Sequence, residues 1–171
     1  VDVPGSVTVV IVPDNDDLAP IPTSDYLRAV AAYLNGFRLL TTELFVKGPT
    51  YKNIQADVTV VAQPYASFDG IVRDVLAALK FYLDPLARIP STDKPSAATL
   101  SAAGTEQWNF GESLHPTNLF SVILGVNGVS FVKSLQITVD DVPHPDLSKA
   151  ITLPPDGLFS SGAHQITVVP S

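Results

Sequence analysis

Two stretches of this 171-residue chain open alike and continue alike. "VTVVIVP" (7–13) is followed by "SDYLRAVAAYLN" (24–35), and "VTVVAQP" (58–64) by "SFDGIVRDVLAALKFYL" (67–83). In each copy a β-branched run closed by proline precedes apolar residues at helical spacing. β-branched side chains fit a pleated, covered surface, whereas apolar residues at i, i+3, i+4 and i+7 collect on one side of a helix. A chain that makes this alternation twice is restricted to helices laid against a sheet.

In the first copy, Thr23 or Ser24 caps a helix whose face is Leu27, Val30, Ala31, Leu34 and Phe37, with Gly36 at its end. A strand over 42–48 follows, with Leu44 and Val46 on one side and Phe45 and Lys47 on the other. Gly48-Pro49 turns the chain into "NIQADVTVVAQ", where Ile54, Ala56, Val58, Val60 and Ala62 share a face. Ser67 caps the second helix, with Phe68, Ile71, Val72, Val75, Leu79 and either Tyr82 or Leu83 inward, and Asp84-Pro85 stops it. Residues 85–107, rich in Pro, Ser, Ala and Thr, form a long loop. Pro116 opens a short helix and Gly128 turns the chain out of it. "SFVKSLQITVDD" alternates as a strand, with Phe131, Lys133, Leu135, Ile137 and Val139 together. A last strand falls near 165–169. The fold class expected is α+β: a split β-α-β (ferredoxin-like) plan, its sheet antiparallel or mixed, helices on one face, and a terminal strand. Residues 1–51 make the first half and 52–171 the second.

The chain carries little that could do chemistry. It has no cysteine, so a thiolate nucleophile and Cys-ligated zinc are excluded. His115, His144 and His164 stand far apart, with no metal-ligand spacing. "DNDD" (14–17) lacks the central glycine and distant glutamate of an EF-hand and reads as a solvated turn. No phosphate-binding glycine loop and no G-x-S-x-G elbow occurs. No cofactor or metal is expected. The ten Lys and Arg residues are scattered and the net charge is −7, so neither nucleic acid nor a membrane surface is an expected partner. Only 16% of residues are charged, against about a quarter in ordinary domains. Such a neutral surface suits permanent contact with other proteins. The chain holds no methionine and opens in mid-phrase, "VDVPGSVTVV", as a fragment of a longer protein would.

"PGSVTVVIVP" (4–13), "LRAVAAYLNGFRLLTTELFVKGPTY" (27–51), "VTVVAQP" (58–64) and "WNFGESLHPTNLFSVILGVNGVSFVKSLQITV" (108–139) resemble, in order and spacing, the C-terminal half of the baseplate J-like family. They are similar to the baseplate assembly proteins of contractile phage tails and phage-tail-like injection systems. "YLDPL" (82–86) fits the same pattern, while the stretch from there to "WNFG" is longer than the family's usual connection. The resemblance implies a non-enzymatic wedge component, forming dimers that join other wedge proteins into a ring around the hub. It implies a place in a virion or phage-tail-like particle, assembled in the cytoplasm of a bacterial host.

The exposed strand over 42–48 would invite aggregation alone, and in an assembly a partner can cover it. The candidate interface is Leu44, Phe45, Lys47, Tyr51, Trp108 and Phe110. Two other readings remain open. A carbohydrate- or peptidoglycan-directed tail module would use Trp108, Tyr65 or the 85–107 loop. A small hydrolase would need a histidine and carboxylate brought together near His115 or His144.

Overall fold

The computed structural model describes residues 5–86 and 108–171. The protein is α+β, and its chain divides into two compact units, Val1–Thr50 and Tyr51–Ser171.

In the first unit, β1 (Ser6–Val10) and β2 (Glu43–Lys47) pair in parallel, with α1 (Ser24–Asn35) as the crossover that parallel strands require. The ladder continues past both ends: Glu43 N–H donates to Gly5 O (2.7 Å) and Ile11 N–H to Lys47 O (3.0 Å). Thr23, not Ser24, caps α1, its hydroxyl accepting from Tyr26 N–H. Leu27, Val30, Ala31 and Leu34 are half-buried as their spacing requires. Phe37 is not on the helix: α1 ends at Asn35, and Phe37 is 72% exposed, its ring beside that of Tyr33. No residue of α1 is fully buried.

The second unit is built on β3 (Thr50–Ala62), a thirteen-residue strand. β4 (Val129–Val139) runs antiparallel on one side, with β5 (Val142–His144) beyond it. On the other side lie β6 (Gly157–Ser161) and the parallel β7 (Gln165–Val169). Ile54, Ala56, Val58, Val60 and Ala62 are all buried, so the alternation in β3 reads true. Two helices supply the rest of the core. α2 (Phe68–Tyr82), capped by Ser67, buries Ile71, Val75, Ala78, Leu79 and Phe81. α3 (Pro116–Leu124), opened by proline as expected, buries Leu119, Val122 and Ile123. Phe68, expected inward, is 45% exposed at the first turn of α2.

Three local readings are corrected. The two repeats do not share one sheet: β1 and β2 form a sheet of two strands, β3 to β7 another of five. β2 and β3, joined by Gly48-Pro49, do not pair as a hairpin, and Pro49 has no N–H to give to a ladder. The alternation in β4 also breaks. Thr59 pairs with Ser134 but Val60 with Val132, so Lys133 is bulged out of the ladder. Val132 therefore takes the covered face, and Phe131, opposite Val61, is 51% exposed. Finally, β6 was not expected, although every one of its residues is buried.

Candidate functional site

Of the six residues picked out as an interface, three lie on β2. Leu44 is half-buried, while Phe45 (52% exposed) and Lys47 stand out on the opposite face with Glu43. Among the described residues β2 pairs with β1 alone, so its other edge carries no strand. Tyr51, near the start of β3, is half-buried, and Phe110 is 42% exposed. Phe110 sits in a turn held by Glu112, whose carboxylate accepts from Asn109 N–H and Nδ2, and Gly111 there has φ +75°.

Trp108 is half-buried and packs against the core of the second unit. Its Nε1–H donates to Tyr82 O (2.6 Å), and its ring meets Tyr82 and Phe159 edge-on, with centroids 5.4 and 5.0 Å away. Burial raises the Tyr82 phenol pKa, partly offset by its hydrogen bond with Asn118. The indole nitrogen and both aromatic contacts are thus made within its own unit. Tyr65 is fully exposed and held at φ +68°, and the loop expected over 85–107 lies, from residue 87 on, outside the described residues.

The histidines stay apart. His115 occupies the N-cap position of α3 without capping it. His144, on β5, donates from Nε2 to Lys149 O (3.1 Å). It borders an open hollow of about 380 Å³ with Lys52, Asp140 and Lys149. Two of these are turned to backbone: Lys52 Nζ donates to Thr152 O (2.9 Å) and Asp140 Oδ1 accepts from Asn53 N–H (2.9 Å). The "DNDD" stretch is a turn closed by Asn15, whose side-chain oxygen accepts from Asp17 N–H. Among the described residues no three His, Cys, Asp or Glu side chains group as metal ligands would.

The sequence reading missed a place, among the described residues, where a serine hydroxyl meets an imidazole. Ser161, only 4% exposed, has its Oγ 2.9 Å from His164 Nε2. That distance suits a hydroxyl activated by imidazole. The other ring nitrogen decides the matter. His164 Nδ1 lies 3.1 Å from the backbone N–H of Ala56, which can only donate. Nδ1 therefore carries no proton, and the neutral ring carries it on Nε2, pointing at Ser161. A general base needs the reverse tautomer, with Nε2 free to accept. Burial, then the charge of Lys80, lowers the His164 pKa to about 4, so the ring is neutral at pH 7. The pair bridges the gap between β6 and β7 along the edge of β3; it is a structural tie.

No family model and no curated protein matches this chain. Among solved structures it is similar to a chain in the "Cryo-EM structure of the anti-feeding prophage (AFP) baseplate, 6-fold symmetrised", with a TM-score of 0.61 and 20% sequence identity. The likeness covers 91% of this chain and 29% of that one, so this chain spans less than a third of the length of its neighbour.

Proposed function

We propose that this chain is a structural, non-catalytic part of the baseplate of a contractile injection system, set among the wedge proteins that join around the hub. The observation that carries this reading is the shared fold with a chain of the anti-feeding prophage baseplate, extending over 91% of the residues. The ordered resemblance of 4–13, 27–51, 58–64 and 108–139 to the baseplate J-like family points the same way. The partners are then other wedge and hub proteins and a second copy of this chain, and the location is a phage-tail-like particle assembled in a bacterial host. Residues 1–51 and 52–171 are its two building halves.

The distribution of apolar surface supports an assembly role. Among the described residues, nine large exposed apolar side chains, among them Tyr33, Phe37, Leu40 and Phe45, lie in the first fifty residues, and six more, Tyr65, Phe68, Phe110, Leu124, Phe131 and Val142, in the rest. A surface so apolar fits contact with other subunits. In this reading Leu44, Phe45, Lys47, Tyr51 and Phe110 face partners, while Trp108 holds its own unit together. The tautomer of His164 supports the non-enzymatic part of the reading. The test is to replace Phe45 with Asp and Lys47 with Pro in a cell that produces the particle, then count assembled baseplates by electron microscopy. A sharp loss is expected; undiminished assembly would count against the role given to this strand.

A further inference from the structure

β2 reads Glu-Leu-Phe-Val-Lys, with opposite charges at its ends and one aromatic ring at its centre. Its backbone is oriented by the bonds already made. Glu43 N–H is bonded to Gly5 O, and Lys47 O to Ile11 N–H. In a parallel ladder each residue directs its N–H and C=O to the same side, and the sides alternate along the strand. Glu43, Phe45 and Lys47 thus direct their backbone groups to β1, and Leu44 and Val46 direct theirs to the free edge. That edge presents two donors and two acceptors.

We propose that β2 pairs antiparallel with β2 of a second copy of this chain, about a two-fold axis at Phe45, making a four-stranded sheet β1-β2-β2-β1. The inference rests on the assembly reading above only in that the chain meets other subunits, and it names the partner and the register. Antiparallel strands centred on Phe45 set Leu44 opposite Val46 of the partner, twice, and these are the residues whose N–H and C=O point outward. Four backbone hydrogen bonds close. Phe45 then faces its own copy, and Glu43 faces Lys47 of the other chain on both sides of it. These are non-hydrogen-bonded positions, where opposed Cα atoms stand about 4.5 Å apart and side chains lie closest.

The strand is therefore complementary to itself in one register. A shift by two residues would break both charge pairs, and a shift by one would turn the partner's apolar face over. An isologous contact of this kind closes on itself rather than growing into a fibre. It also supplies what the first unit lacks: two strands with no fully buried helix residue are marginal, whereas sheets of three or more strands hold. β1 makes the alternative edge, but its run Ser6–Val10 carries no charge and specifies no register.

The test is sedimentation equilibrium of the whole chain. Glu43→Lys and Lys47→Glu each set like charges opposite one another and should weaken the dimer about tenfold. The double variant E43K/K47E restores both pairs and should regain wild-type affinity, and an equimolar mixture of the two single variants should form a heterodimer. In this cysteine-free chain, Phe45→Cys should give a disulfide-linked dimer on oxidation, and Tyr33→Cys, also exposed, should not. A monomeric wild type, a dimer indifferent to charge reversal, or equal crosslinking by both cysteines would each overturn the pairing. None of these results touches the presence of the chain in particles, which is measured separately. A self-paired dimer absent from particles would leave the pairing standing and remove the assembly reading.

Discussion

The backbone N–H of Ala56 donates to Nδ1 of His164, 3.1 Å away, where a continuous strand would have supplied a carbonyl. β6 ends at Ser161 and β7 begins at Gln165, and the imidazole fills the interval with one bond to β3 and one to Ser161. A buried ring holding two polar groups makes a specific claim about pH.

Protonated His164 would aim a second N–H at the N–H of Ala56. The folded chain resists that proton until about pH 4, whereas an unfolded histidine takes it up near 6.5. Between those values the unfolded state binds more protons, so stability falls as pH drops from 6.5 towards 4 and is full above 6.5. The loss is at most about 3 kcal/mol. Urea midpoints of wild type and His164→Gln across this range should converge at low pH. Parallel curves would contradict the tie.

Trp108 and Phe45 should separate stability from assembly. Trp108→Ala removes two aromatic contacts and the donor to Tyr82 O, and should cost about 3–5 kcal/mol in chemical denaturation. Phe45→Asp alters an exposed face and should leave the unfolding of the isolated monomer within about 0.5 kcal/mol while impairing subunit contact.

Gly128 should not tolerate a side chain. Its φ is +90°, and an added Cβ would stand 3.1 Å from Ile71 Cγ1 and 3.2 Å from Ala66 Cβ. Gly128→Ala combines backbone strain with crowding and should lower stability by about 2–4 kcal/mol, read as a fall in thermal midpoint.

The β4–β5 turn holds both Asp140 (φ +50°) and Asp141 (φ +64°) in the left-handed region, where tight hairpins favour Asn-Gly. Asp141→Gly relieves strain at the loss of an exposed bond from Gln55 Nε2 and should stabilise by up to about 1 kcal/mol. Asp140→Ala removes the acceptor of Asn53 N–H and should destabilise by about 1–2 kcal/mol. Equal effects at the two positions would contradict this division.

How much of this was legible in the sequence follows from what each feature depends on. The helices and β3 were legible because Leu27, Ile71, Val75 or Val58 carry their own period. The break in β4 was not, since the bulge at Lys133 arises from pairing with Thr59 and Val60, residues distant in sequence. β6, "GLFSS", shows no alternation because it is buried throughout. The separation into two sheets depended on which strands pair, and the identical "VTVV" openings concealed that β1 is an edge and Val58–Val61 lie in a central strand. At the candidate site, the exposed alternation of Phe45 and Lys47 was legible. The Ser161–His164 tie was not, because its deciding partner is a backbone amide more than a hundred residues away.

The most direct measurement is cryo-electron microscopy of the contractile particle from a cell in which this chain carries a bulky tag inserted in the Pro64-Tyr65 turn, where Tyr65 is fully exposed. Extra density repeated around the baseplate ring, at wedge positions next to the hub, is the predicted result. Particles complete at the baseplate with no tag density, and with the tagged chain left in the soluble fraction, would contradict the account.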